Sequence, residues 1–287
     1  MVSLALRLDE SLDGIFNESA MPPSYAAYVA YYEGSRKIAV GDWGAALRDL
    51  LRANELEPGF TTPLIFAGFA FMNALGDFGR ADSVAQVVEA SRSTLPRYDR
   101  LRLDLLQAKL RGDTHAAYRA VRDAGEITPG GSAHFTAAQL ALQINRPGEA
   151  LATLATFDPT RPFAREWTPY WNVLTAAHHL RGDHGRELRA ARRGRTQMPD
   201  RLELLEFEAR ALAALGRGGE LERLLDQLPG MRSPGETAGA VLLRTVRELR
   251  AHGHRDAAHA VAQRLLAQHD LSADRERSDE AARERAA

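Results

Sequence analysis

Between residues 25 and 57, apolar and small residues recur at helical spacing in two stretches, and a short polar break separates the stretches. In the second stretch Ala46, Leu50 and Ala53 share one helix face. Two of the three are small, which lets a neighbouring helix approach closely. The pattern therefore predicts a helical hairpin with helices over 25–40 and 43–57.

The break between the two helices is a Gly-Asp pair that returns along the whole chain. We call each such two-residue pair a mark, and successive marks are 35, 36, 33, 37, 34 and 37 residues apart. One mark has Asn in place of Gly, and Asn also tolerates a left-handed backbone. A steady period in the mid-thirties is typical of stacked helical hairpins and predicts an all-α, right-handed α-solenoid of about seven hairpins. The marks are Gly41-Asp42, Gly76-Asp77, Gly112-Asp113, Asn145-Arg146, Gly182-Asp183, Gly216-Arg217 and Gly253-His254.

The first hairpin resembles a tetratricopeptide repeat. Four positions of that motif are matched by Gly34, Ala46, Leu50 and Pro58, whereas Ala30 and Glu33 depart from it. Weaker matches in the same frame extend the resemblance over about residues 25–270. The resemblance implies a non-catalytic scaffold for protein–protein interaction, with a peptide or protein partner in a concave groove lined by the first helix of each hairpin.

The frame of the repeat selects residues for that groove. Aromatic and apolar side chains belong to its first half and basic ones to its far end, which suits an extended peptide with an apolar part and an acidic end. The alternative is that some of the aromatics pack in the core. The candidates are Tyr28, Tyr31, Ile65, Phe69, Met72, Arg102, Lys109, Phe135, Gln139, Asn172, Arg210, Arg244 and Arg247.

A second resemblance is to the tetratricopeptide half of multidomain bacterial regulators, which carry a kinase, a cyclase or a winged-helix domain. It rests on residues 22–28, 110–113, 145–150 and 170–183. It implies, as an alternative function, a sensory or regulatory module that acts on a linked or partner output domain in signalling or transcription.

Domain boundaries follow from breaker residues and composition. We expect an N-terminal extension or cap over 1–22, a solenoid over 23–271 and a charged, disordered tail over 272–287. The N-terminus lacks the basic start and apolar core of a signal peptide. If the chain is complete, we expect a cytoplasmic protein; as a fragment of a membrane-spanning regulator it would lie outside the cytoplasm.

Composition limits the chemistry. The 287 residues include no Cys and carry a formal net charge of -1. Disulfides, thiolate metal sites and Cys nucleophiles are excluded, and neither nucleic-acid binding nor membrane insertion is expected. No phosphate-binding loop, zinc-protease or serine-hydrolase motif is present. We therefore expect no enzyme activity, no cofactor and no metal.

Two polar clusters leave alternatives open. Histidines near two of the turns suggest a metal or proton site. No carboxylate or second histidine recurs at the spacing that ligands need, however, so the pattern favours histidines that lie on the surface near helix ends. A run of arginines suggests a nucleic-acid patch, but the absence of interleaved aromatics favours a solvated helix face. The histidines are His178, His179, His184, His252, His254 and His259; the arginines are Arg186, Arg189, Arg192, Arg193 and Arg195.

Overall fold

The computed structural model describes residues 24–39, 42–127, 132–156, 167–231 and 237–267. The chain divides into two compact units, residues 1–162 (unit 1) and 163–287 (unit 2). The expectations for 1–22 and 272–287 lie outside the described residues. These contain helices and no strand, which confirms the all-α class.

Each unit is a series of antiparallel helical hairpins, and the helices begin and end close to the positions predicted from the two-residue marks. Unit 1 contains α1 (Tyr25–Ala39), α2 (Trp43–Leu56), α3 (Thr62–Leu75), α4 (Phe78–Ala90), α5 (Arg97–Leu110), α6 (Thr114–Ile127), α7 (Ser132–Gln143) and α8 (Pro147–Leu154). Unit 2 contains α9 (Thr168–Leu180), α10 (His184–Gln197), α11 (Leu202–Ala214), α12 (Gly218–Leu225), α13 (Ala238–Ala251) and a last helical stretch, α14, over 255–267. Among the described residues this makes four hairpins in unit 1 and three in unit 2.

The recurring two-residue mark forms the turn of each hairpin in which both of its residues are described. Its first residue ends the first helix in the left-handed region, with φ of 63° at Gly76, 71° at Gly112 and 57° at Asn145. Its second residue starts the next helix: the carboxylates of Asp77 and Asp113 each accept a hydrogen bond, at 2.9 Å, from the backbone N–H three residues on. At Asp77 and Asp113 the pair therefore joins the end of one helix to the N-cap of the next. By contrast, Asp183, Arg146 and Arg217 make no side-chain cap hydrogen bond.

Small residues set how closely the paired helices pack. The fourth residue after the turn Asp, or its equivalent, is buried in every hairpin: Ala46, Ala81, Ala117, Ala150, Glu187, Leu221 and Ala258. Gly34 lies at the crossing of α1 and α2, as predicted. A Cβ there would approach Leu50 Cγ to 2.9 Å and the carbonyl oxygen of Ala46 to 3.1 Å.

Each unit has its own hydrophobic core. In unit 1 a continuous cluster extends from Ala27 on α1 to Leu106 on α5. In unit 2 a second cluster extends from Leu188 on α10 to Val261 on α14. Leu50, Leu106 and other fully buried aliphatic side chains each stabilise the fold by about 1.5–3 kcal/mol through removal from water. Within the described parts of the chain, no helix is both long enough and apolar enough to cross a bilayer.

Candidate functional site

Four of the predicted groove residues of unit 1 lie in its interior rather than on a surface. Tyr31 and Ile65 are at most 1% exposed, and Met72 and Phe135 are under a tenth exposed. The Tyr31 ring makes edge-on contacts with the ring of Phe60, at a centroid distance of 5.4 Å. These side chains pack between hairpins, which was the alternative considered for the aromatics, and they are not available to a partner in this conformation.

Four other predicted residues line one cleft in unit 1. Phe69 on α3, Arg102 and Lys109 on α5, and Gln139 on α7 surround the same hollow. These three helices are the first helices of successive hairpins, as the frame of the repeat implied. We call this hollow the unit-1 cleft. Its remaining lining residues are Asn73, Tyr98, Leu101, Leu105, Val121, Ala124, Ala133 and Thr136. Tyr28 is half-buried on α1, stacked on the ring of Tyr25 at 6.4 Å, and does not line the cleft.

The charged groups on the cleft lining are both cationic. The Arg102 guanidinium lies 3.7 Å from the ring centroid of Phe66, a cation–π contact that holds it in place. Burial lowers the pKa of Lys109 below its ordinary value. Among the described residues no carboxylate lies within ion-pair distance of the Lys109 ammonium, and none lines the cleft. The hollow thus combines apolar and polar side chains with positive charge.

A buried carboxyl lies behind the cleft. Asp99 on α5 is 1% exposed, and its Oδ2 accepts a hydrogen bond of 2.6 Å from the Thr62 hydroxyl. Its Oδ1 has no hydrogen-bond partner in the described part of the structure. Burial raises the pKa of Asp99, although the Thr62 hydrogen bond and the Arg102 charge act in the opposite direction.

The predicted basic end of the groove falls in unit 2, where carboxylates neutralise part of it. Arg210 Nε lies 2.7 Å from Glu187, and Arg244 Nε lies 2.7 Å from Glu206. Asn172 and Arg247 are exposed on α9 and α13. Arg210 and Arg244 are therefore paired with carboxylates, whereas Arg247 has no ion-pair partner among the described residues.

The arginine run on α10 takes part in ion pairs. Arg192 bridges Glu208 and Glu220, at 2.8 Å to each, and Arg195 also contacts Glu208, at 2.6 Å. These pairs tie α10 to α11 and α12. The expectation of a simply solvated face is wrong for these two residues, because the partner carboxylates come from other helices and are not visible in the local sequence.

Histidines and a carboxylate meet at the turn between α9 and α10. Glu187 Oε2 lies 3.0 Å from His179 Nδ1 and 3.1 Å from His184 Nδ1. Burial acts to raise the pKa of Glu187, but the contacts with His179, Arg210 and His184 outweigh it, and the pKa is lowered. The sequence argument that these histidines lack a carboxylate partner is therefore wrong. The signal was present, because Glu187 occupies a position where five of the other six hairpins have Ala.

No protein-family model matches the sequence, and neither does any curated protein. Solved structures do resemble the fold. A tetratricopeptide repeat protein from Parabacteroides merdae superposes with a TM-score of 0.51 at 14% identity, over 85% of this chain and 93% of that one. The APC/C hetero-tetramer Cut9–Hcn1 gives a TM-score of 0.50 at 15% identity, over 91% of this chain and 46% of that one.

At such identities the likeness establishes the fold alone. The chain has the tetratricopeptide-repeat fold that its first hairpin indicated. The narrower resemblance to bacterial regulators is not tested by these structures and stays a prediction.

Proposed function

We propose that the protein is a non-catalytic interaction scaffold and that it binds an extended peptide segment in the unit-1 cleft. One observation carries the proposal: partly exposed apolar side chains and two cations line the same hollow, and none of the described residues that line it is acidic. The tetratricopeptide-repeat fold supports it, since a hetero-tetramer is among the structures with a similar fold. The expected ligand is a segment of a partner protein that has an apolar side chain next to an acidic one.

The walls of the cleft suit an apolar anchor. Phe69 on α3 and Leu101 on α5 supply partly exposed aromatic and aliphatic surface from two neighbouring helices. Aromatic side chains in partly buried pockets dominate many protein interfaces because they bury a large area with little loss of rotamer freedom. An apolar peptide side chain in this hollow would remove further surface from water at about 25 cal/mol per Å².

The cations suit a carboxylate. Lys109 is partly desolvated, and no carboxylate of the described residues pairs with it, so a bound acidic group would gain a charge-assisted hydrogen bond where water screens it least. Arg102 is held over Phe66 and presents a second cation to the same hollow. The amides of Asn73 and Gln139 are exposed at the rim, where they can pair with the backbone of an extended peptide.

The test is a selection of random twelve-residue peptides on the full-length chain, followed by affinity measurements by fluorescence anisotropy. We expect enrichment of peptides with Asp or Glu close to an aromatic or aliphatic residue. Lys109→Met keeps the aliphatic stem and removes the charge. It should weaken binding by about tenfold, the value of one charge-assisted hydrogen bond.

Arg119→Met is the matched control, because Arg119 is exposed on α6 and does not line the cleft. It should bind the selected peptides as the wild type does. The proposal fails if the selection enriches no acidic-apolar peptides, or if Lys109→Met and Arg119→Met bind equally well while both keep the helical circular dichroism of the wild type.

A further inference from the structure

The cluster in unit 2 begins with a carboxylate in an unusual place. Glu187 is fully buried at the position that contacts the first helix of its hairpin, where Ala46, Ala81, Ala117 and Ala150 stand in unit 1. Burial of a carboxylate in place of a methyl group is unfavourable unless strong partners compensate. The side chains around Glu187 must therefore supply these compensating interactions.

Three side chains aim ligand atoms at one point. His179 is in the last turn of α9, and His184 and Glu187 are in the first turn of α10, three residues apart on the same face. The Nδ1 atoms of both rings point at the same carboxylate oxygen, at 3.0 Å and 3.1 Å. One ligand atom from each of the three residues lies within 4.8 Å of the others.

Neighbouring charged groups lie against two of these three side chains, Glu187 and His179. Arg210 Nε donates to the other oxygen of Glu187 at 2.7 Å, which leaves Oε2 for the histidine side of the cluster. The other ring nitrogen of His179, Nε2, lies 3.5 Å from Glu248 Oε1. A carboxylate behind a histidine is the usual support of a metal-bound imidazole, because it fixes the ring orientation and makes the ligand more basic.

We propose that His179, His184 and Glu187 bind a divalent transition-metal ion, of which Zn²⁺ fits the donor set best. Two imidazole nitrogens and one carboxylate oxygen form a recognised zinc-binding combination, with a fourth position left for water or another ligand. Bonds of about 2.1 Å in tetrahedral geometry separate ligand atoms by about 3.4 Å. The 3.0 Å and 3.1 Å separations need to widen by only a few tenths of an ångström.

His252 borders the same site from α13–α14. Its ring centroid lies 4.9 Å from that of His184, and its Nε2 lies 2.9 Å from Glu248. A further imidazole therefore lies beside His184 at the edge of the cluster. A bound ion would connect α9 to α10 through its ligands and α13 through Glu248, so it would stabilise unit 2.

The experiment uses the full-length chain, produced without a histidine tag, treated with a chelator and desalted. Isothermal titration with ZnCl₂ should show one site per chain, and MgCl₂ should show none, because Mg²⁺ prefers oxygen ligands. Co²⁺ should give the visible absorption of a tetrahedral ion. Zn²⁺ should raise the melting temperature of the wild type, since a ligand that binds only the folded state stabilises it.

His184→Ala should weaken Zn²⁺ binding by at least about 100-fold, the upper end of the effect of losing a supporting residue. Glu248→Gln should weaken it by about 10–100-fold through His179. His115→Ala removes an exposed histidine of unit 1 and should change nothing. Glu187→Gln removes the charge of the third ligand and should also weaken Zn²⁺ binding; if this variant fails to fold, His184→Ala and Glu248→Gln still decide the question.

Two results would overturn the proposal. One is the absence of a stoichiometric Zn²⁺ site in the wild type. The other is a His184→Ala variant that binds Zn²⁺ as tightly as His115→Ala and keeps the same Zn²⁺-induced rise in melting temperature. In that case the histidines serve only as hydrogen-bond partners of a buried carboxylate.

Discussion

At the scale of single residues, burial and close approach decide which positions tolerate change. Gly34 is a helical glycine in direct contact with the opposite helix, whereas Gly44 on α2 has no atom within 4 Å of an added Cβ. Both positions would gain helix propensity from Ala, because glycine has the greater backbone freedom in the unfolded chain. They differ only in whether there is space for the methyl group.

We therefore expect Gly34→Ala to lower the free energy of unfolding by about 1–3 kcal/mol, since the methyl group would overlap Leu50 and the backbone of Ala46. Gly44→Ala should leave stability unchanged or raise it by up to about 1 kcal/mol. Urea unfolding followed by circular dichroism measures both. Equal effects of the two substitutions would contradict the assigned crossing of α1 and α2.

A second residue-scale prediction concerns the buried Asp99, whose pKa is raised chiefly by burial. A carboxyl with a raised folded-state pKa destabilises the fold at pH values above that pKa, and the penalty disappears as the pH falls below the pKa of the unfolded state. Asp99→Asn should therefore raise the free energy of unfolding at pH 7, by about 1 kcal/mol.

The advantage of Asp99→Asn should shrink as the pH falls through the raised folded-state pKa and vanish below about 3.9, the ordinary pKa of Asp, where Asp99 is protonated in both states. The amide can still accept the hydrogen bond from Thr62. Urea unfolding at a series of pH values checks this. An advantage that is constant with pH would show that the carboxylate charge is not the cause.

At the scale of elements, the turn marks encode the helix boundaries, and this is why the fold is predictable from the sequence. The expected first hairpin, 25–40 and 43–57, is observed as Tyr25–Ala39 and Trp43–Leu56. The turn chemistry is local, since a left-handed residue and an N-cap side chain act within a few residues of each other. No information about distant contacts is needed to place such boundaries.

The candidate site was only partly predictable. The frame of the repeat identified Phe69, Arg102, Lys109 and Gln139, because first helices of successive hairpins bring their side chains together. It did not separate them from Tyr31 and similar residues that face the adjacent hairpin. That distinction depends on how the hairpins pack. The sequence pattern identified His179 and His184 but not their partner Glu187, although Glu187 stands where five of the other six hairpins have Ala.

The turns also carry an element-scale prediction. Gly112 has φ of 71° and open space around its Cα, so Gly112→Ala tests backbone strain without a steric clash. It should lower the free energy of unfolding by about 1–2 kcal/mol, the cost of a left-handed conformation for a residue with a Cβ. Asn145→Gly, at the equivalent turn, should be neutral or slightly stabilising. If Gly112→Ala leaves the free energy of unfolding unchanged, the left-handed turn residue is not the constraint that sets the period of the hairpins.

At the scale of the whole molecule, the chain contains two compact units, each with its own core and its own polar feature. Unit 1 contains the proposed peptide cleft, and unit 2 contains the proposed metal site. Hydrogen exchange of the full chain should show this division. Zn²⁺ should slow amide exchange in α9 and α10, whereas a bound peptide should slow it in α3, α5 and α7. The two effects are separable because their residues belong to different units.

The most direct test of the central claim is photo-crosslinking of the full-length chain to a peptide selected on it. A benzoyl-phenylalanine residue replaces either Gln139, which is exposed on the cleft, or Arg119, which is exposed elsewhere on unit 1. The account predicts a crosslink from position 139 that excess unlabelled peptide abolishes, and none from position 119. A crosslink from position 119 alone, or equal crosslinks from both, would contradict peptide binding in the unit-1 cleft.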